Sequence, residues 1–455
     1  MGEFFGTDGI RGKAGCYPLD APTIEKIGWS LTRELARRNG HAPLLVVGRD
    51  TRESGEWIEQ AMARGAMAAG ATMRSAGVIP TPGVACLTRL LAADAGIVIS
   101  ASHNPYEDNG IKVFSPSGQK LDEEAEQTIE NDLKAPAENF PAFHPSELQG
   151  ELQGKLQADA NLAERYLLFL LDEAAQGLRL AGMRIAVDCA NGAAAALAPR
   201  LFTRLGATVI PINVDPNGRN INLGCGSLHP ENLQHAVRDH KAALGIAFDG
   251  DADRSLYVDE DGNLIDGDQV LYVMGVYLSR RNQLAGGRVI ATVMSNLGLE
   301  IGLKQHGIGL ARTNVGDKYV LDELLKNGGS VGGEQSGHII FPGISLAGDG
   351  MLTALELLRV IRETGQTLGK LTRDFVRYPQ VTINVKVARK PALETVPAIQ
   401  AAVDKLEAEL DGRGRLLLRY SGTENVARVM IEGPDETTVR AQAEAMAEII
   451  RENLS

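Results

Sequence analysis

From its start to about residue 365 the chain alternates short, β-rich apolar runs with longer stretches of helical periodicity. That alternation restricts it to α/β units built on largely parallel sheets. Leu44–Val47, Gly96–Ser100, Arg184–Val187, Thr208–Ile212, Leu244–Phe248 and Arg288–Val293 read as strands. Pro22–Arg38, Trp57–Ala69, Ala193–Leu205, Gly316–Lys326 and Met351–Arg362 read as helices, several closed by a glycine. After Thr364-Gly-Gln-Thr367 the order changes to strand, helix, two strands, helix, the pattern of a smaller α+β domain. A chain of 455 residues exceeds one ordinary core. The expected fold class is therefore α/β, with three related α/β domains of mixed, largely parallel sheets followed by a smaller C-terminal α+β domain. A polar, proline-bearing stretch over Ala135–Gly154 marks the first seam, and the expected domains are 1–150, 151–250, 251–366 and 367–455. Three successive blocks of similar size hint at duplication.

Composition removes several classes of function. Apolar residues at 44% and charged residues at 23% describe a folded globular protein. No run approaches the ~20 uninterrupted apolar residues of a membrane span, and the N-terminus lacks the regions of a signal peptide, so a cytoplasmic location is expected. Cys16, Cys86, Cys189 and Cys225 are scattered without a CxxC pair, as reduced structural thiols are. A net charge of −12 opposes nucleic acid and anionic membrane as partners. A small anionic ligand would need locally concentrated basic groups.

Five segments carry the chemistry. Ser102 follows the strand Gly96–Ser100 in a turn closed by Asn104-Pro105, so its hydroxyl is presented at the carboxyl end of a sheet, where open α/β folds bind ligands. A plain turn cap is the competing reading. A serine hydrolase is excluded, because the G-x-S-x-G elbow and identifiable triad partners are missing. Asp249-Gly-Asp251-Ala-Asp253-Arg254 follows the strand Leu244–Phe248, and in an extended segment its alternate carboxylates share one side and suit a hard cation, magnesium above all. A calcium loop fails because Arg254 stands where glycine is required. Gly332-Gly-Glu334-Gln-Ser336-Gly-His338 offers backbone approach and alternating acceptors and donors for sugar hydroxyls. Arg419-Tyr-Ser421-Gly422-Thr423 leaves the strand Arg415–Leu418 and combines a guanidinium, two hydroxyls and free N–H groups as a phosphate nest, with a capped β-turn equally open. Near the start, Arg11 is flanked by glycines in Phe5-Gly-Thr-Asp-Gly-Ile-Arg11-Gly12.

These segments, in this order and across nearly the whole chain, resemble the α-D-phosphohexomutase family. The matching pieces are Gly6-Thr-Asp-Gly-Ile-Arg-Gly12, Ala101-Ser-His-Asn-Pro105, Asp249-Gly-Asp-Ala-Asp-Arg254, Gly333-Glu-Gln-Ser-Gly-His338 and Arg419-Tyr-Ser-Gly-Thr-Glu424. The resemblance implies four domains around a central cleft and an isomerase that moves phosphate between two positions of a sugar. A small-molecule sugar phosphate is the implied partner, glucosamine phosphate foremost, with glucose or mannose phosphate and a non-catalytic sugar-phosphate sensor as alternatives. A homodimer stays open as the assembly. Ser102 is then the phosphoserine, with Asp249, Asp251 and Asp253 holding one Mg²⁺ per chain together with that phosphate. A hexosamine 1,6-bisphosphate is the implied priming donor. Lys112, His338 and Arg11 match catalytic groups, the first two placed for proton transfer. Glu334, Ser336, His103 and Arg254 match substrate-binding groups, and Arg419, Ser421, Gly422 and Thr423 match the clamp on the non-reacting phosphate. Asn425, where the pattern often has proline, and Tyr420, at a variable place, depart from it without removing a phosphate ligand.

Overall fold

The computed structural model describes residues 4–6, 8–135, 140, 156–421 and 425–454. The predicted strands form at Leu44–Arg49, Ala95–Ile99, Arg184–Asp188, Thr208–Ile212, Leu244–Phe248 and Arg288–Thr292, each within two residues of its expected bounds. Four of the five predicted helices form at Ala21–Asn39, Gly55–Ala68, Asp317–Asn327 and Gly350–Thr364. The fifth, expected over Ala193–Leu205, exists only at Ala198–Arg204. Pro199 explains the short start, since proline is tolerated in the first turn of a helix but would break the hydrogen-bond ladder in the interior of one begun at Ala193.

Among the described residues there are four sheets. The first runs Phe5–Gly6, Gly9–Lys13, Asp108–Phe114, Ala95–Ile99, Leu44–Arg49, Thr72–Val78, Leu156–Ala158, with its last four strands parallel. The second runs Leu264–Ile265, Ser255–Val258, Leu244–Phe248, Arg184–Asp188, Thr208–Ile212, with its last three strands parallel. The third runs Gly309–Thr313, Arg288–Thr292, Gly332–Gly333, Ile339–Ile340. The fourth is wholly antiparallel, with Val426–Glu432 between Gln380–Lys386 and Arg415–Tyr420. Helices Pro397–Leu410 and Glu436–Leu454 complete the C-terminal unit in the order predicted. The second sheet continues past residue 250 to Ile265, so a seam at 250 cuts through a sheet, because strands Leu244–Phe248 and Ser255–Val258 pair directly. The seam expected over Ala135–Gly154 lies mostly outside the described residues.

One construction recurs in the three α/β sheets. A strand paired in parallel on one edge is followed, after a loop, by an antiparallel neighbour on the other: Ala95–Ile99 with Asp108–Phe114, Leu244–Phe248 with Ser255–Val258, and Gly332–Gly333 with Ile339–Ile340. The loops between them hold Ser102, the three aspartates and Glu334–His338 respectively. Buried apolar side chains from all three units, such as Val46 and Val84, Val187 and Leu201, and Met274 and Leu355, join one continuous core. The C-terminal unit has a separate core around Val429, Ile399 and Ile450.

Candidate active site

Ser102 is buried in the loop between its two strands with φ 53°, in the left-handed region. Its Oγ donates to Asp249 Oδ2 at 2.6 Å, which joins two residues 147 positions apart. The approach depends on Gly250. A Cβ there would lie 2.5 Å from the Ser102 carbonyl oxygen, so any side chain would push the two loops apart.

The aspartates do not lie in an extended segment as expected. They occupy a turn in which Ala252 adopts φ 54°, and the curl of the chain brings a carboxylate oxygen from each of Asp249, Asp251 and Asp253 within 4.8 Å of the others. Burial, with the neighbouring Asp253 and Asp251 charges, pushes the Asp249 carboxyl well above the ordinary range. Asp251 Oδ1 and Asp253 Oδ1 are buried without a hydrogen-bond partner among the described residues. Repelling carboxylates with unused oxygens in a dry turn fit a hard divalent cation.

Cations enclose this acidic turn. Lys112 is buried, its Nζ 2.9 Å from Asp251, 3.4 Å from Asp253 and 3.1 Å from Asp8. Burial works against its charge, yet Asp251, Asp8 and Asp253 outweigh it and raise the lysine well above its usual value. His338 Nδ1 lies 3.7 Å from Asp253 and Nε2 3.8 Å from Asp317. Burial opposes protonation there too, but Asp253 prevails and lifts the imidazole to about 9. Gly348 permits this placement, since a Cβ on it would stand 2.2 Å from His338 Nε2. His103 Nδ1 is 3.3 Å from both Ser102 Oγ and Arg254 Nη1, and burial with the Arg254 and Arg11 charges lowers its affinity for a proton.

Arg11, Arg254, Glu334 and His338 line a cavity of about 380 Å³ with Asp8, Asp253 and Asp317. Ser336 Oγ donates to Glu334 Oε2 at 3.1 Å, and the Gly316 N–H donates to Oε1 at 3.2 Å. The cleft thus unites Ser102, Lys112, His338, Arg11, His103, Arg254, Glu334, Ser336 and the three aspartates, directly or through shared neighbours. Arg419 and Ser421 stand apart. Arg419 lies inside the strand Arg415–Tyr420, one residue pair longer than expected, and lines a separate cavity of about 190 Å³ with Met294, Asn384 and Arg428. Arg428 is directly across the sheet from it, and burial together with that second guanidinium lowers the Arg419 pKa. The Ser421 N–H is not free for a nest, because it donates to Val426 O at 2.8 Å and closes the hairpin. Gly422 and Thr423 lie outside the described residues.

Four further residues escaped the sequence reading. Thr81 Oγ1 donates to Asp251 Oδ2 at 2.7 Å. Asp8 links Arg11, Lys112 and Lys120, and Asp317 accepts from Lys120 at 2.7 Å. Arg428 completes the guanidinium pair. Asp8 was discoverable as the one acid of the first motif; Thr81 and Asp317 carry no local signal.

Comparison with known proteins identifies the family. Models of phosphoglucomutase/phosphomannomutase α/β/α domains I, II and III match residues 2–140, 164–262 and 266–378, and the C-terminal domain of the same family matches 383–449. The chain belongs to the phosphoglucomutase/phosphomannomutase family, and it is an enzyme of the phosphohexomutase class, an isomerase. Two full-length relatives sharpen this. The phosphoglucosamine mutase of Solibacter usitatus is 47% identical over 452 residues, 99% of each chain, and that of Symbiobacterium thermophilum is 46% identical over 454 residues, 100% of each. A phosphoglucomutase/phosphomannomutase family protein from Burkholderia thailandensis superposes with a TM-score of 0.78 at 25% identity, covering 99% of this chain and 97% of its own. The fold is shared by Aspergillus fumigatus N-acetylphosphoglucosamine mutase, solved with GlcNAc-6P and magnesium, with a TM-score of 0.72 at 20% identity over 99% of this chain and 96% of its own. Among the described residues no helix is long and apolar enough to cross a membrane.

Proposed function

We propose that this chain interconverts glucosamine 6-phosphate and glucosamine 1-phosphate through phosphate carried on Ser102, in the cytoplasm, ahead of amino-sugar nucleotide and cell-wall precursor synthesis. The observation that carries the mechanism is the 2.6 Å hydrogen bond from Ser102 Oγ to the acidic turn. The full-length relatives supply the preference for the amino sugar.

Phosphoryl transfer is catalysed mainly by positioning and by neutralising charge on the equatorial oxygens. Asp249, Asp251 and Asp253 would hold one Mg²⁺, whose chemistry is to neutralise phosphate oxygens during transfer. Lys112, Arg254 and Arg11 add fixed positive charge from the other sides. In the first half-reaction the Ser102 Oγ–phosphorus bond breaks while a bond forms from the free sugar hydroxyl oxygen to the same phosphorus. The hydroxyl proton ends on Ser102 Oγ. Lys112 or His338, both held charged, can relay it, giving a proton to the departing Oγ while the sugar hydroxyl proton takes the place of the one given, and by microscopic reversibility the relay runs backwards in the return half-reaction. The bisphosphate then turns in the cleft, and Ser102 recovers phosphate from the other end of the sugar. A hexosamine 1,6-bisphosphate therefore also primes an enzyme that has lost its phosphate. Glu334 and Ser336 would bind ring hydroxyls, while Arg419 and Arg428, with Ser421, Gly422 and Thr423, would hold the phosphate that does not react.

A substrate panel tests this reading. With Mg²⁺ and a trace of hexose bisphosphate, glucosamine 6-phosphate should give the highest kcat/KM among glucosamine, glucose and mannose phosphates. A higher value for glucose or mannose phosphate would reassign the substrate, and no turnover with any of them would leave a sugar-phosphate sensor.

A further inference from the structure

We infer that Arg52, which lies outside every motif discussed above, is the positioning residue that sets the Ser102 loop for phosphoryl transfer. Its side chain is wholly buried, and so is that of its partner Asp50. Nε donates to Asp50 Oδ2 at 2.9 Å. The remaining donors are spread over the Ser102 loop. Nη2 reaches the carbonyl oxygens of Ser102 at 3.0 Å and Asn104 at 2.9 Å, and Nη1 reaches those of Pro105 and Asp108, the latter at 3.0 Å. Asp50 also accepts from Ser100 Oγ, and that same oxygen accepts the Ser102 N–H at 2.9 Å.

The backbone of Ser102 is thus fixed at both ends, its N–H through Ser100 and its carbonyl through Arg52. Its positive φ is a conformation that a non-glycine residue keeps only where its surroundings impose it. A second clamp comes from the neighbouring α/β unit, where Asn222 Nδ2 donates to the Ser102 and Asn104 carbonyls at 2.9 and 3.1 Å. Both clamps draw carbonyl oxygens inward. Those oxygens would otherwise be free to face a phosphate, which they repel, while the hydroxyl stays on the acidic turn. Only a planar guanidinium can serve four carbonyls and a carboxylate at once; the lysine ammonium has three donors on a single atom.

The inference rests on Ser102 as the phosphate carrier, so the test holds the two apart. Ser102→Ala, Arg52→Lys and Asn222→Ala are compared with the wild-type chain for thermal unfolding, steady-state kcat and KM, and the single-turnover rate at which phosphate leaves Ser102 for the sugar. Wild-type activity in Ser102→Ala overturns the phosphoserine reading itself. With Ser102→Ala inactive, Arg52→Lys should lower kcat and the single-turnover rate about 100-fold with KM within about threefold, as expected for a nucleophile misplaced by about an ångström. Asn222→Ala should lower both about tenfold. A folded Arg52→Lys whose single-turnover rate stays within threefold of wild type overturns the inference, as does a loss confined to KM. If Arg52→Lys does not fold, Asn222→Ala decides: a slowed transfer at unchanged KM supports the inference and an unchanged transfer rate sinks it.

Discussion

The two halves of the proposed phosphate-handling machinery are built differently. Ser102, the acidic turn and Lys112 are buried and belong to units that share one hydrophobic core. Arg419 belongs to a small unit with its own core, joined to the rest through polar groups. At that seam Arg415 donates to the Val293 and Ser295 carbonyls at 2.9 and 3.0 Å, and buried Glu432 accepts from Asn296 Nδ2 at 3.1 Å and from the Leu297 N–H at 3.2 Å. A shared apolar core resists relative displacement, whereas polar seams between separately packed units favour it. The proposed transfer site is thus preassembled, and the proposed clamp sits on the separately packed unit. The proposed mechanism, in which the sugar is held by either end in turn, would use that division.

The sharpest break of the comparison is at the preassembled half. Ser102→Ala should lower mutase turnover by roughly four orders of magnitude or more while leaving the melting temperature within a few degrees, because only a hydroxyl is lost. Intact mass should show no phosphate on the variant. Next in size is Asp251→Asn. Asp251 faces the proposed cation and also receives Thr81 and Lys112, so turnover should fall about 100-fold and the Mg²⁺ concentration for half-activity should rise about tenfold. A magnesium titration of activity checks it, and an unchanged midpoint would take Asp251 out of the ion's coordination.

The clamp should respond in another parameter. If Arg419 holds the non-reacting phosphate as proposed, Arg419→Ala removes charge-assisted bonds worth about 2 kcal/mol, or roughly 30-fold in KM. Turnover should change less than KM. Steady-state kinetics with glucosamine 6-phosphate separates the two, and a loss confined to kcat would place Arg419 among the transfer groups instead.

How far the sequence shows all this differs between the halves as well. The strands leading to Ser102 and to the aspartates are legible because apolar runs of four to six residues end in turn-forming or charged residues, and each motif sits where its strand stops. The strand-like Ser255–Val258 after the aspartates is legible too; what stays hidden is that the strand after each loop pairs antiparallel with the one before it. Asp108–Phe114 escapes because it begins with polar Asp108-Asn109-Gly110, yet it is the strand that delivers Lys112. The aspartate spacing suggested an extended segment, and the true convergence depends on the left-handed Ala252, a backbone choice that alanine does not announce. Arg52, Thr81, Asn222 and Asp317 act across gaps of 50 to 197 residues. No local pattern encodes such meetings. The Arg419 motif was legible by composition, but its pairing with Arg428 needed the register of the two strands.

The smallest expected effect concerns stability, and it belongs to the preassembled half alone. Asp349 caps the helix Gly350–Thr364, accepting from the Leu352 N–H at 2.9 Å and from Tyr166 OH at 2.8 Å, and burial raises its carboxyl to about 6. A carboxyl raised on folding stabilises the folded state fully below its ordinary value near 4, and that contribution is lost as pH rises through about 6. The three-unit body should therefore melt a few degrees lower at pH 7 than this group would allow at pH 4.5. Asp349→Asn keeps an acceptor for the Leu352 N–H, offers the Tyr166 hydroxyl oxygen an amide N–H in place of the second carboxylate oxygen, and cannot ionise, so its melting temperature should vary less between those two values than that of the wild type. Calorimetry of both chains across pH 4.5 to 7 measures the difference, and parallel curves would show that Asp349 ionises in the folded chain at no greater cost than in the unfolded one.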